Sequence, residues 1–307
     1  RKMRTLLETK LTASRGWKMN SPYKLPTPSL ISFSGGRTSG YMLYQILKAH
    51  DFNLPNNVYV VFANTGKEMP ETLDFINDCQ RKWGIKIHWL ELDIHNEKPI
   101  YRNKEVSYET ASRNGEPFAA LIERKNMLPN SAMRICTAEL KVSVMSRFMR
   151  SRGHKEWFNV IGLRYDEMRR VAKQKAQNDK DINKWQTLMP MYEAQATIEN
   201  VSKFWQDNDF DLKLPNMGGK TLAGNCDLCY LKGKQTLTKL IKERPSLADW
   251  WIEQEKKISN HKKDYGSNYD ATFKSNGLSY INLVEIAEKT AELDLLDDDG
   301  RSCFCHD

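Results

Sequence analysis

The amino-acid sequence predicts an α/β fold with a doubly wound, Rossmann-like parallel sheet and a helical C-terminal region that contains cysteines. Two observations favour this fold class. Short apolar runs alternate with helix-like stretches as far as about residue 190, and beyond that point helices and loops surround a cysteine-rich segment. Strands that alternate with helices form right-handed crossover units, which build a parallel sheet covered by helices on both faces.

Hydrophobic periodicity predicts the individual strands and helices. The predicted strands are SLISFSG (29–35), NNVYVVFANTG (56–66), KIHWLELDI (86–94) and EWFNVIGLR (156–164). The predicted helices are TSGYMLYQILKAH (38–50), PETLDFINDCQRKWG (70–84) and KVSVMSRFMRSR (141–152). Pro70 and Glu71 suit the first turn of the second helix. The polar run KQKAQNDKDINK (173–184) is interpreted as a mobile surface loop, with a lid over the site and a contact with nucleic acid as the alternatives.

Composition restricts the class of protein. The chain has 307 residues, of which 40% are hydrophobic, enough to bury a sizeable core. No window approaches the run of about 20 apolar residues that a membrane span needs, and the start does not resemble a secretory signal, so we expect a cytoplasmic protein with no membrane partner. The six cysteines are unevenly spaced, which favours metal or redox chemistry over a disulfide framework. A net charge of +8 permits a polyanionic partner.

Three loops of unusual composition follow predicted strands, namely SGGRTS, ANTGKEMPET and GLRYDEMRR. Ligands of doubly wound sheets bind beyond the carboxyl ends of the strands, where these loops are expected. In the first loop, the chain passes through Ser34, Gly35 and Gly36 directly into a helix, so that backbone N–H groups at the helix start can hold a phosphate. The loop lacks the Walker lysine and the GxGxxG fingerprint. We predict a phosphate-binding loop, with an ordinary tight strand-to-helix turn as the alternative.

These segments resemble the motifs of a known family. SGGRTS resembles the PP-loop of the adenine nucleotide α-hydrolase-like superfamily, whose usual form is SGGxDS. The rest of the chain is similar to the phosphoadenylylsulfate (PAPS) reductase family, in the form found in phages and mobile elements. The matching segments are VFANTGKEMPETLDFI (a strand ending in DTG, then a PET helix start), RICTAELKVSVMSRF (CCxxxK), IGLRYDEMRR (GxRxxExxxR), LMPMYEAQATIENVSKFWQDND (a proline and tryptophan motif ending in DVW) and CDLC (CxxC).

The resemblance implies a site for an adenine nucleotide, either ATP or an adenylyl sulfate, with Mg²⁺ accompanying ATP. The implied nucleotide-binding residues are Ser34, Gly35, Gly36, Arg37, Thr38, Ser39, Asn64, Thr65, Gly66, Lys141, Gly162, Arg164, Glu167 and Arg170. Arg164 is implied to contact the nucleotide phosphates and Glu167 to brace its turn, with a solvated basic face of Arg164, Arg169 and Arg170 as the alternative. Arg37 and Thr38 stand where many PP-loop enzymes have Lys-Asp, so we expect the Arg37 guanidinium to join the phosphate contact.

The resemblance also implies a metal centre. Cys136, Cys226 and Cys229 match three of the family's four cysteines, and Ile135 occupies the place of the other. These three are predicted to hold a 4Fe–4S cluster, since thiolates are the ligands that such clusters prefer; a zinc site is the alternative. Near the C-terminus, Cys305 matches the nucleophilic cysteine of the family. The tail that carries it has three open roles: a nucleophile, a cluster ligand or an inert segment.

The predicted organisation has four parts. They are a basic N-terminal arm (1–28), a PP-loop nucleotide-binding α/β domain (29–190), a helical region with the CxxC pair (191–296) and an acidic, cysteine-containing tail (297–307). Prolines punctuate the arm, and the run DLLDDDG makes the tail acidic.

Three functions fit these motifs. The first is a PAPS reductase-family enzyme, a reductase or sulfurtransferase, that performs sulfur chemistry with an iron–sulfur cluster and a thioredoxin-like reductant or a sulfur donor. The second is ATP-dependent thiolation of a nucleic acid, tRNA or DNA, by adenylation and sulfur transfer. The third is a non-enzymatic nucleotide or nucleic-acid binder of a mobile element or defence system.

Overall fold

The structure is a computed structural model, and it describes residues 21–180, 183–217, 220–264 and 270–290. Six strands of these ranges form one sheet in the order β4-β3-β2-β1-β5-β6. They are β1 Ser29–Ser32, β2 Val58–Ala63, β3 Ile87–Ile94, β4 Tyr101–Val106, β5 Trp157–Val160 and β6 Trp185–Leu188. All neighbouring strands are parallel except β3 and β4. A short antiparallel pair, β7 Asn216–Met217 and β8 Lys220–Thr221, follows later in the chain.

Helices connect the strands and then continue alone toward the C-terminus. They are α1 Arg37–Ala49, α2 Pro70–Lys82, α3 Glu116–Lys125, α4 Ser143–Ser151, α5 Met168–Asp179, α6 Pro190–Glu193, α7 Ile198–Gln206, α8 Lys234–Glu243, α9 Leu247–Asp264 and α10 Tyr280–Lys289. A π-helical turn, Thr137–Val142, leads directly into α4. The described helices include none that is long and apolar enough to cross a membrane.

The predicted fold class is confirmed. The four predicted strands correspond to β1, β2, β3 and β5, and the three predicted helices correspond to α1, α2 and α4. The chain extends the sheet from β1 through β2 to β3 in one direction and places β5 and β6 on the other side of β1. This reversal of strand order between β1 and β5 makes a crevice at the carboxyl ends of the strands, the usual ligand site of such sheets.

The sequence analysis did not predict two strands of the sheet, β4 and β6. β4 is an antiparallel edge strand, with Tyr101 paired to Ile94 and Val106 paired to Trp89. Its sequence YRNKEV is largely polar and its side chains are half-buried or exposed, so it lacks the apolar run of a buried parallel strand. β6 is only four residues long and follows a polar run, which hides it from a periodicity analysis.

The prediction of a mobile loop at 173–184 is wrong for most of that segment, because residues up to Asp179 belong to α5. The helix is held on β6 by amide side chains. Gln174 Nε2 donates to Thr187 Oγ1 at 2.9 Å, and Asn178 exchanges hydrogen bonds with the Thr187 backbone at 2.8 and 3.0 Å. The loop prediction assumed that these polar side chains are solvated. Amide side chains that have hydrogen-bond partners in the protein can instead be buried.

One hydrophobic cluster joins the sheet to the C-terminal helices. It contains Leu30 and Phe62 from the strands as well as Trp251 and Tyr280 from α9 and α10. The segment between α7 and α8, which carries the CxxC pair, is therefore packed onto the sheet. Residues 1–20 of the predicted arm and the whole predicted tail, including Cys305, lie outside the described ranges. The boundaries of the four predicted parts remain a prediction.

Candidate functional site

The predicted phosphate loop connects β1 to α1. Gly35 has φ +81°, the left-handed region that favours glycine, and a Cβ there would lie 2.7 Å from Ile76 Cδ1 and 2.8 Å from Thr72 Cγ2. Gly36 then forms the N-cap of α1, and its carbonyl accepts the first intrahelical hydrogen bond from Gly40 N at 2.9 Å. The loop is therefore a tight turn packed against α2 and leads directly into a helix.

Two serines stabilise this turn. Ser34 Oγ lies 2.9 Å from Ser39 Oγ, and Ser39 Oγ also donates to the Gly36 carbonyl at 3.0 Å. The first N–H groups of a helix have no intrahelical acceptor, and the helix dipole makes this end positive. The start of α1 can therefore receive an anion without rearrangement of the loop.

Arg37, the first residue of α1, has its side chain committed elsewhere. The guanidinium is buried and holds Asp211 bidentately, with Nε to Oδ1 at 2.8 Å and Nη2 to Oδ2 at 2.8 Å. It also donates to the Leu212 and Leu214 carbonyls and to Thr221 Oγ1. These acceptors hold the 211–221 segment on the loop. The expected contact of the guanidinium with a phosphate does not fit this arrangement. Of Arg37, only the backbone N–H is therefore expected to bind a phosphate.

The loop after β2 begins with Asn64, which is fully buried. Its Nδ2 donates to Glu91 Oε1 at 2.7 Å and to the Ser112 carbonyl at 2.9 Å, and its Oδ1 accepts from Gly66 N at 3.2 Å. The Gly66 carbonyl accepts in turn from Gly115 N at 2.8 Å. The Asn64 side chain therefore shapes this loop, and nucleotide contact by Asn64 and Gly66 remains a prediction.

Glu68 organises the second half of the same loop. Its carboxylate accepts from Thr65 N at 3.0 Å and from Thr65 Oγ1 at 2.9 Å, and it lies 3.9 Å from Lys141 Nζ. All three side chains are largely removed from solvent. Lys141 thus reaches from the π-helical turn to the loop after β2.

The turn after β5 contains Arg164, Glu167 and Arg170. Glu167 accepts from Arg164 N at 3.0 Å and is paired with Arg170, so it braces the turn as the sequence predicted. Arg164 Nη1 lies 3.2 Å from Thr38 Oγ1, and a Cβ on Gly162 would lie 3.5 Å from Ser39 Cα. The structure therefore brings this turn against the phosphate loop, and the phosphate contact of Arg164 remains a prediction.

The CxxC segment is docked on the loop after β2. Glu68 and Cys226 form an antiparallel backbone bridge, and Cys226 Sγ lies 3.5 Å from Thr65 Oγ1. Asp227 Oδ2 forms a buried ion pair with Lys67 Nζ at 2.8 Å, while Asp227 N donates to the Lys67 carbonyl at 2.7 Å. Side-chain and backbone contacts thus hold the two segments in register.

The third predicted cluster ligand, Cys136, contacts the segment that carries the CxxC pair. Cys136 immediately precedes the π-helical turn that carries Lys141, and its Sγ lies 3.3 Å from Tyr230 Oη. Tyr230 directly follows Cys229 in the chain. The segment that carries Cys136 therefore contacts the segment that carries Cys226 and Cys229. Short π-helical turns are frequent at functional sites.

A cavity of about 470 Å³ opens between these elements. Its lining includes Ser34 of the phosphate loop and Lys141 of the π-helical turn, and it extends over β5 and β6 to α5. The aromatic and amide side chains that line it include Phe33, Trp157, Trp185, Asn159, Gln174 and Gln177. The phosphate loop and the segment that carries Cys136 therefore border one cavity at the carboxyl edge of the sheet.

The metal prediction is not decided by the arrangement of the described side chains. In the ranges that the structure describes, no group of three or more His, Cys, Asp or Glu side chains is arranged to hold a metal ion. The 4Fe–4S cluster and the zinc alternative therefore both remain predictions.

Sequence reasoning missed three charged residues of this site. These residues lie in segments that it had selected for other residues: Lys67 and Glu68 in the loop ANTGKEMPET, and Asp227 in CDLC. Their charge could have identified them in the sequence, because a lysine and two carboxylates in buried segments require partners that compensate the charge. Which residues pair could not be read from positions 160 apart, since the docking of the two segments decides it.

Comparison with known proteins agrees with the motifs. The family model of the phosphoadenosine phosphosulfate reductase domain matches residues 28–213. A protein of Escherichia phage lambda, named as an uncharacterised nin region protein, is 26% identical over 226 residues, which are 71% of this chain and 71% of that protein. An uncharacterised protein of Methanocaldococcus jannaschii is 24% identical over 237 residues, which are 77% of this chain and 43% of that protein.

Solved structures include two similar chains. The phosphoadenylyl-sulfate reductase of Candida auris in a phosphate complex has a TM-score of 0.39 and 15% identity, and the match covers 62% of this chain and 81% of that chain. The U34-tRNA thiolase of Methanococcus maripaludis with its 4Fe–4S cluster has a TM-score of 0.37 and 13% identity, and the match covers 90% of this chain and 78% of that chain. Since the family model spans more than half of the sequence, this chain belongs to the phosphoadenosine phosphosulfate reductase domain family.

Proposed function

We propose that this chain is an enzyme that binds an adenine nucleotide, ATP or an adenylyl sulfate, and performs sulfur chemistry at thiols grouped around a 4Fe–4S cluster. The observation that carries the proposal is the docking of the CxxC segment on the loop after β2, through the Lys67–Asp227 ion pair and the Glu68–Cys226 bridge. This docking supports the proposal because it puts the two thiols of the CxxC pair at the loop after β2, the strand next to the one that leads into the predicted phosphate loop. Membership of the family supports the nucleotide part.

The proposed nucleotide site combines the start of α1 with the adjoining cavity. Its phosphates would accept hydrogen bonds from the N–H groups at the start of α1, with Lys141 at the cavity wall as a nearby cation. The adenosine would enter the cavity, whose volume of about 470 Å³ is within the usual range of small-molecule sites. The half-buried Trp185 offers an aromatic face there, and Gln177 and Asn159 offer amides for the edge of the base.

Cys136, Cys226 and Cys229 would hold the cluster. Cys226 and Cys229 are buried and Cys136 is half-buried, so a cluster on them would be shielded from bulk water. When bound, a cluster with one iron free of protein thiolate supplies an open coordination position for a sulfur-containing group. The Thr65 hydroxyl and the backbone of Glu68 fix the position of Cys226.

With an adenylyl sulfate, the reaction is a reduction. A cysteine thiolate attacks the sulfur of the sulfate, the bond from sulfur to the phosphate oxygen breaks, and AMP leaves. A thioredoxin-like dithiol then supplies two electrons, which release sulfite and restore the thiolate. The proposed nucleophile, Cys305, lies outside the described ranges.

With ATP, the reaction is thiolation of tRNA or DNA. An acceptor oxygen attacks the α-phosphorus, pyrophosphate leaves with Mg²⁺, and a sulfide then displaces AMP from the adenylated acceptor. Ile135 favours this second candidate, because it leaves the chain one cysteine short of the four-cysteine family members. A non-enzymatic nucleotide or nucleic-acid binder is the third candidate, and it would need the loop but not the cysteines.

The deciding experiment measures iron, acid-labile sulfide and zinc, with an absorption spectrum, on protein purified without oxygen. We expect about four irons and four sulfides per chain. The variants Cys136→Ser, Cys226→Ser and Cys229→Ser should lower both, whereas Cys79→Ser is the matched control, because Cys79 is buried in α2 and burial raises the pKa of its thiol. One zinc and no iron would refute the cluster.

Nucleotide binding is tested separately by calorimetry with ATP and with adenylyl sulfate. Gly36→Asp places a carboxylate at the N-cap of α1, where it would repel a phosphate, so we expect loss of nucleotide affinity with unchanged iron content. Unchanged affinity in this variant would contradict the phosphate loop. If all three Cys→Ser changes leave biological activity intact, the non-enzymatic function is favoured.

A further inference from the structure

A rigid aromatic and basic patch borders the nucleotide site, and we define it as the Tyr165 platform, made of Tyr165, Tyr192 and Lys175. The rings of Tyr165 and Tyr192 are stacked, with centroids 5.6 Å apart and planes inclined by 24°. Lys175 Nζ lies 4.3 Å from the Tyr192 centroid. Tyr165 as a whole is 41% exposed. Tyr192 thus contacts both a ring and a cation, and Tyr165 presents aromatic surface to solvent.

The platform is held in place by the backbone on both sides. Tyr165 N donates to the Ala196 carbonyl at 2.8 Å, and Tyr192 belongs to α6. Single exposed apolar residues are common on protein surfaces. A ring that is stacked, backbone-anchored and exposed is different, because little conformational entropy is lost when a ligand stacks on it.

Positive charge exceeds negative charge on the helix that follows Tyr165, with Arg170 paired to Glu167. Helix α5 begins three residues after Tyr165 and carries four basic residues, Arg169, Arg170, Lys173 and Lys175, against one acidic residue, Asp179. Met168, at the start of this helix, is 53% exposed. The positive end of the helix dipole lies on the same side. Aromatic surface interleaved with cations is typical of proteins that bind single-stranded nucleic acid.

The platform also lies beside the reaction site. Tyr165 follows Arg164, whose Nη1 is 3.2 Å from Thr38 Oγ1 in the phosphate loop. A base stacked on Tyr165 would therefore contact the residue next in sequence to Arg164, which is predicted to contact the nucleotide phosphates. Such a position suits an acceptor strand that delivers a reacting nucleotide to the cavity.

We propose that the Tyr165 platform binds a single-stranded segment of nucleic acid, with one base stacked on Tyr165 and the backbone phosphates against the cations of α5. This inference rests on the proposed function, since it supplies the acceptor for the thiolation reaction. An acidic protein surface would pair with the cations but would not stack on the exposed Tyr165 ring. A nucleic acid makes both contacts, since its phosphates pair with the cations and a base stacks on the ring.

The test measures binding of a fluorescent oligothymidylate and a fluorescent oligouridylate, each about ten nucleotides long, by anisotropy on the full chain. Tyr165→Ala should weaken binding about 5- to 150-fold, the usual effect of losing one stacked base, and Tyr165→Phe should retain it. Lys175→Met should weaken binding and reduce its salt dependence. Lys256→Met, which removes an exposed lysine of α9, is the matched charge control.

Calorimetry with ATP on the same variants separates the two proposals. We expect Tyr165→Ala to bind ATP as the parent does. If Tyr165→Ala binds the oligonucleotides as tightly as the parent, or weakens ATP as much as the oligonucleotides, the platform is not a nucleic-acid site. If instead the parent binds oligonucleotide through Tyr165 but binds neither ATP nor adenylyl sulfate, the platform stands and the proposed function fails.

Discussion

Gly35→Ala tests whether the phosphate loop is as tightly packed as the structure requires. Gly35 has φ +81°, and the left-handed region costs a residue with a Cβ about 1–2 kcal/mol. The new methyl would also lie 2.7 Å from Ile76 Cδ1 and 2.8 Å from Thr72 Cγ2, both buried, and overpacking of this kind costs about 1–3 kcal/mol. The expected loss in free energy of unfolding is therefore about 2–5 kcal/mol.

The matched control is Gly84→Ala, just after α2. Gly84 also has positive φ, at +62°, but a Cβ there would meet nothing within 4 Å, so only the backbone cost of about 1–2 kcal/mol applies. The entropy that alanine removes from the unfolded chain is common to both variants and cancels. Urea denaturation measures both values. Equal losses in the two variants would refute the packing argument, because the steric part would then be absent.

Two further predictions concern buried charge. Lys67→Met should lower the free energy of unfolding by about 3–5 kcal/mol, because it leaves the Asp227 carboxylate buried without its partner, and adding Asp227→Asn should recover part of that loss. Glu255 is buried in α9 and accepts from Phe273 N and Tyr280 N; burial raises its pKa to about 7 despite these bonds. A raised pKa means that the fold favours the protonated carboxyl, so its contribution to stability is full below pH 4.5 and is lost as the pH rises through 7. Glu255→Gln should flatten the Tm profile over this window.

An exposed ion pair supplies the controls for both. Lys257 Nζ and Glu253 Oε1 are 2.7 Å apart on α9, with side chains 60% and 55% exposed. Lys257→Met should change stability by less than about 1 kcal/mol, as surface pairs do. Glu253→Gln should leave the Tm profile between pH 4.5 and 7 with its original slope. A loss in Lys257→Met as large as that in Lys67→Met, or a flattened profile in Glu253→Gln, would contradict these assignments.

Much of the fold could be predicted because its central strands are buried on both faces. A fully buried strand such as Val58–Ala63 must be apolar along its length, so it stands out in the sequence. Tyr101–Val106 did not stand out, because one edge of the sheet tolerates polar residues. Helix α5 was missed for a related reason: its amides are satisfied by Thr187, a residue of the next strand, which no local pattern reveals.

The candidate site also has features that could be predicted from the sequence and features that only the tertiary structure shows. Glycine at 35 and the strand-to-helix passage follow from local sequence, whereas the bracing of the turn by Glu167 was implied by the family resemblance. Only the tertiary structure decided that Arg37 binds Asp211 and that Lys67 pairs with Asp227, because each pair joins segments more than 150 positions apart. Charge reveals that a buried group needs a partner, whereas the packing of distant segments decides which partner it receives.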